Sequence, residues 1–149
     1  NPDDMQNTTL EQVREWGREF ILSNATLNIF DSWWSDHLGH EGSEVAGHVS
    51  QANAPESPTP LENAQDHVRR LEAFLEGALE AKPVQTLLLI TSDHGNFEDM
   101  GVKTHTFAPV PLVALGPGAL EFANVTDLTG VAPALERVLK IRGKRKDES

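Results

Sequence analysis

Val84-Gln85-Thr86-Leu87-Leu88-Leu89-Ile90-Thr91-Ser92-Asp93-His94-Gly95-Asn96 joins an unbroken apolar run to a group of side chains able to bind metal. A continuous run such as Leu87–Ile90 is the kind expected of a strand covered on both faces in a parallel sheet. In open α/β sheets, reactive groups collect in the loops beyond the carboxyl ends of the strands. Asp93 and His94 fall at that point. The expected fold class is therefore α/β, a mostly parallel central sheet flanked by helices.

Upstream, Leu61 to Ala81 carries Val68, Leu71, Phe74, Leu75, Ala78 and Leu79 at helical spacing, with Glu62, Asp66, Arg69, Arg70, Glu72 and Glu76 mostly off that stripe. This should be the longest helix, and Pro83 should end it. Thr8 to Asn24 reads as an earlier helix through Leu10, Val13, Trp16, Phe20 and Ile21, with the short run Leu27-Asn28-Ile29-Phe30 after it as a buried strand. Downstream, Pro111 to Leu115 reads as another strand, closed by Gly116-Pro117-Gly118, and Thr126 to Ile141 as a last helix with Val131, Leu135, Val138 and Leu139 inward. We take residues 1–142 as the carboxy-terminal part of one domain with a single core, and residues 143–149 as a charged, disordered tail. Asp31 to Pro60 is too polar and interrupted for one regular element.

The chain has 149 residues, a formal charge of −11 and no cysteine. That charge repels nucleic-acid backbones and anionic membranes. Without cysteine there is no disulfide, no thiolate zinc site and no cysteine nucleophile, so a metal must be held by oxygen and nitrogen. No apolar run is long enough to cross a bilayer and no signal sequence is evident, so the expected compartment is the cytoplasm. The lack of an initiator methionine leads us to expect a chain cut from, or encoded within, something longer.

Three loops supply candidate ligands: Asp36 and His40 in the first, Asp93 and His94 in the second, His105 in the third. Carboxylates combined with imidazoles suit manganese, zinc, cobalt or iron better than calcium. Two carboxylates and three imidazoles exceed what one four-coordinate ion requires, which points to a two-metal site of the kind that grips both oxygens of a phosphoryl displacement. Asn96 and Glu98 are placed to orient the imidazoles. His37 should point away from the ligands, and His48 and His67 should face solvent. Trp33 and Trp34 either line a substrate mouth or pack beneath their loop.

Thr91-Ser92-Asp93-His94-Gly95-Asn96-Phe97-Glu98-Asp99-Met100, followed by Thr104-His105-Thr106 and Val110-Pro111-Leu112-Val113, closely resembles the late metal-binding motif of cofactor-independent phosphoglycerate mutases, within the alkaline phosphatase superfamily. Asp36-His37-Leu38-Gly39-His40 is similar to that family's earlier Asp-x-x-Gly-His element, and Asn124 to Leu128 to its closing strand-to-helix segment. The resemblance implies two divalent ions, manganese or zinc, with Asp36, His40 and His105 on one and Asp93 and His94 on the other. It also implies a phosphorylated small-molecule substrate and phosphoryl transfer or phosphoester hydrolysis. The family's nucleophilic serine and a further aspartate have no match here, so the chain alone should be inactive, its sheet completed by an upstream segment or by self-association. A non-catalytic metal-binding or regulatory module, and a sulfatase or phosphodiesterase of the same superfamily, are the alternatives. The stretch from His94 to His105 is shorter than the family pattern, and Lys103 is the one cation close to the motif.

Overall fold

The computed structural model describes residues 8–32, 59–95, 97–99, 101 and 104–146. The chain divides into two compact units, Asn1–Pro83 with His94–Pro109, and Val84–Asp93 with Val110–Ser149. Each unit has its own apolar cluster.

In the first unit, helix α1 (Leu10–Leu22) starts at Thr9, whose hydroxyl accepts from the Gln12 N–H while the Gln12 side chain accepts from the Thr9 backbone N–H. Helix α2 (Pro60–Ala81) repeats this reciprocal cap with Thr59 and Glu62, and places proline in its first turn, where no N–H is needed. The donated hydrogen bonds hold the Glu62 carboxyl below its ordinary range. α1 and α2 pack on a cluster of Val13 and Phe74 bordered by Trp16, Phe20, Phe30 and Leu71. Gly17 and Gly77 make the close approach possible, because a Cβ on Gly17 would overlap the Phe74 carbonyl and one on Gly77 the Arg14 carbonyl. At the rim, Glu80 accepts from both Arg14 and Arg18, an exposed network that contributes little beyond orientation.

The buried stripe of α2 keeps Leu71, Phe74, Leu75 and Ala78 of the expected positions and differs at its edges. Ala64, His67, Phe74 and Ala78 are buried, whereas Val68 is 41% exposed and Leu79 46% exposed. His67, expected to face solvent, is 2% exposed, and its Nε2 lies 3.1 Å from the Ser32 hydroxyl. Its position explains this, since residues 67, 71, 74 and 78 follow the i, i+4, i+7, i+11 spacing of one helix face. Burial pushes its pKa below the ordinary imidazole value, with Asp66 opposing that shift and Arg70 adding to it.

The strand expected over Leu27–Phe30 does not form; the segment is irregular, with Leu27 50% and Ile29 79% exposed. Local anchoring has replaced ladder pairing. The Asn28 amide donates to the Phe20 carbonyl at 3.1 Å, a second donor beside the Ser23 N–H that caps the end of α1, and the Phe30 ring stacks on Phe74 at 4.2 Å.

In the second unit, β1 (Leu88–Thr91) pairs with β2 (Leu112–Leu115), Leu88 opposite Leu115 and Thr91 opposite Leu112. The pair is antiparallel, so the parallel arrangement expected from the apolar run is not what the described residues form. A parallel neighbour requires a crossover, usually a helix, and the described residues between these strands contain only a short 3-10 turn, Phe97–Asp99. Leu87, Leu89, Leu112 and Ala114 pack against Phe122, Ala134 and Val138. Gly116 and Gly118 turn the chain out of β2 at φ 116° and 90°, a region that side-chain-bearing residues rarely adopt. Asp127 then caps a 3-10 turn, Leu128–Gly130, that leads into helix α3 (Val131–Lys146). None of the described helices is long and apolar enough to cross a membrane.

Candidate metal centre

Asp93 stands just past β1, exposed, at the carboxyl end of the strand where the sequence pattern put it. His94 opens the His94–Pro109 segment of the first unit. There the chain folds back on itself at one antiparallel bridge, Gly95 with Thr106, closed by the Thr106 N–H donating to the Gly95 carbonyl at 3.0 Å.

That bridge brings His94 and His105 together. Their rings are 3.5 Å apart between centroids and 7° from parallel. Imidazole lone pairs lie in the ring plane, so rings stacked this way present nitrogens side by side and not toward one common point. The Nδ1 of His94 lies 3.3 Å from the Gly95 carbonyl. A proton on Nδ1 directed there leaves Nε2 with its lone pair, the form of the ring that binds metal. The Glu98 carboxylate accepts from the Thr106 hydroxyl, and Ala108 donates its N–H to that same hydroxyl at 3.4 Å.

Asp36, His40 and Asn96 lie outside the described residues, as do His37, His48, Trp33, Trp34 and Lys103. Among the described residues, no three His, Asp or Glu side chains come together in a metal-holding group. The expected set is thus represented here by the His94–His105 pair in one unit and Asp93 in the other. Sequence reasoning missed Thr106 and Gly95 as structural partners of the histidines, although both sit immediately after a candidate ligand. In the second unit a cleft of about 430 Å³ is lined by Asn124, Thr126, Asp127, Thr129, Pro133 and Arg137, and by none of the candidate ligands. Its charges are engaged internally: Arg137 donates to Glu121, and Asp127 accepts from Thr129, which lowers the Asp127 pKa.

A protein-family profile described as Metalloenzyme superfamily matches residues 60–141. A 2,3-bisphosphoglycerate-independent phosphoglycerate mutase from Vibrio vulnificus (strain YJ016) is 40% identical over 82 residues, covering 50% of this chain and 16% of that enzyme. One from Aliivibrio fischeri (strain MJ11) is 42% identical over 76 residues, 46% of this chain and 15% of the relative. One from Halobacterium salinarum is 43% identical over 60 residues, 35% of this chain and 12% of the relative. The match therefore spans less than a fifth of the length of these relatives. No solved structure matches the chain.

Proposed function

The chain belongs to the Metalloenzyme superfamily, and on that premise we propose that it is the metal-binding part of an enzyme that transfers or hydrolyses phosphoryl groups on a small phosphorylated substrate. The observation that carries the reading is the His94–His105 stack. Parallel rings 3.5 Å apart fit one nitrogen donor to each of two neighbouring ions, which in two-metal sites lie about 3.5–4 Å apart. In this reading Asp36, His40 and His105 hold one ion and Asp93 and His94 the other, with manganese or zinc favoured by the oxygen and nitrogen donors. Bound divalent ions would supply Lewis-acid neutralisation of phosphate charge.

The chain's own groups then have separable duties. The Gly95 carbonyl faces His94 Nδ1 and so favours the tautomer with a free lone pair at Nε2. The carboxylates of Asp36 and Asp93 balance the cationic charge. The nucleophile comes from outside these residues, as does the remainder of a larger, mostly parallel sheet, in a cytoplasmic enzyme. The mutase name of the relatives supports phosphoryl transfer over sulfate chemistry.

Metal analysis after chelation and reloading with manganese or zinc tests the ligand set. His105→Ala and Asp36→Ala should each lower the bound stoichiometry, and an unchanged stoichiometry in His105→Ala sinks the assignment. A protein extended at its amino terminus to the full reading frame should turn over phosphomonoesters and lose that activity with Asp93→Ala. An extended protein that binds metal yet turns over none would replace this reading with a non-catalytic metal-binding module.

A further inference from the structure

The Gly95–Thr106 bridge has two faces, because successive side chains on a strand alternate. Gly95 and Thr106 share one face. His94 and His105, each one residue earlier, share the other as diagonal neighbours, a relation that leaves backbones about 7–8 Å apart and ring contact dependent on how the arms are held. Among the described residues, one backbone hydrogen bond, from the Thr106 N–H to the Gly95 carbonyl, closes this bridge.

The first face carries the restraint. The Thr106 hydroxyl donates to Glu98 on one arm and accepts from the Ala108 N–H at 3.4 Å on the other, while the Thr106 N–H holds the Gly95 carbonyl. A Cβ on Gly95 would overlap both the Glu98 carboxylate and the Thr106 hydroxyl, so the contact forms only over a glycine. We propose that Thr106 is a positioning residue: clasped to Glu98 above Gly95, it sets the stacking of His94 and His105 on the opposite face and thereby the affinity for divalent metal. The proposal rests on the metal-binding reading above. Thr106 itself donates nothing to the metal; it acts through the two rings.

Thr106→Val removes the hydroxyl at constant shape, and Thr106→Ser keeps it. Ring-proton NMR signals of His94 and His105, recorded on the metal-free full chain, report the stack directly, and calorimetric zinc titration reports affinity. Thr106→Val should displace both sets of ring signals and weaken zinc binding roughly tenfold, as loss of a group that orients a ligand does, while Thr106→Ser stays near the parent. Gly95→Ala, which keeps Thr106 but closes the space for the clasp, should reproduce the valine effect. Ring signals left in place by Thr106→Val overturn the clasp. Displaced signals with unchanged zinc affinity, in a parent whose binding requires His105, overturn its bearing on the metal. A parent whose zinc binding is indifferent to His105→Ala brings down the ligand assignment beneath the proposal, and the proposal with it.

Discussion

At the crossing of α1 and α2, Gly17 and Gly77 let one helix backbone rest against the other; at the Gly95–Thr106 bridge the missing Cβ makes room for two side-chain oxygens. The same omission therefore has different consequences. Between the helices, the vacant space is filled by carbonyl groups fixed in their helical hydrogen bonds, so an added methyl must push two helices apart and disturb the Val13–Phe74 cluster. At the bridge the space is filled by the tips of Glu98 and Thr106, which can rotate away, so an added methyl costs geometry more than stability. The helix pair uses glycine to build a core, and the bridge uses it to aim two rings.

The sharpest way to break this contrast is Gly77→Ala. Alanine is favoured over glycine in a helix interior by about 1 kcal/mol, yet overlap with the Arg14 carbonyl should reverse the sign and give a net loss of about 1–3 kcal/mol, typical of overpacking. Chemical denaturation followed by far-UV circular dichroism measures it, and a stabilised variant would place the helices farther apart than described. Gly95→Ala, measured alongside, should change stability by much less.

An intermediate effect is expected in acid. His67 is neutral in the folded chain because burial lowers its pKa, whereas in the unfolded chain it titrates near its ordinary value of 6.5. The unfolded state therefore binds the proton first, so stability is complete above about pH 6.5 and declines as pH falls from there toward the lower folded value. The Glu62 and Glu80 carboxyls, held below their ordinary 4.5 by hydrogen bonds from Thr59 and from Arg14 and Arg18, lose their contribution only at lower pH. Melting temperatures between pH 7 and 5 should fall for the parent and flatten in His67→Gln; equal slopes would mean that His67 is not the group responsible.

The smallest effect concerns the caps. Thr59→Ala removes the side-chain half of a reciprocal cap and should cost about 1 kcal/mol, with no change in the His94 and His105 ring signals. A shift in those signals would show that the helix pair and the bridge are coupled and would blur the contrast.

The helices were legible because their signals are local: apolar positions at helical spacing mark α2, and Pro83 forbids its continuation, whereas the Thr59–Glu62 cap that starts it at Pro60 lies in a stretch that reads as irregular. Leu88–Thr91 and Leu112–Leu115 were legible as strands, but their direction was not, since an apolar run states burial and says nothing about the neighbour. Leu27–Phe30 has the composition of a strand, yet a strand needs a partner, and here Asn28 and Phe30 are fastened to α1 and α2 instead. His67 faces the core because it lies one turn before Leu71 and two before Phe74 on the same side of α2, not on the outer part of the helix where the sequence pattern put it. The Asp-His-Gly motif identified His94, and its meeting with His105 depended on the Gly95–Thr106 bridge, which spacing alone does not specify.

The reciprocal seating of Gly17 and Gly77 also bears on genetics. A bulky side chain facing another side chain can be relieved by trimming its neighbour, so suppressor mutations lie one contact away. Here the obstructing atoms are the Phe74 carbonyl, the Ala78 nitrogen and the Arg14 carbonyl, which every residue type carries. No substitution at Phe74 or Ala78 can remove its own backbone, and at Arg14 only the aliphatic stem can be shortened. Revertants of a Gly17 or Gly77 variant should therefore be true reversions to glycine, or distant changes that re-space the whole helix pair, and the allelic spectrum at these two positions should be close to empty.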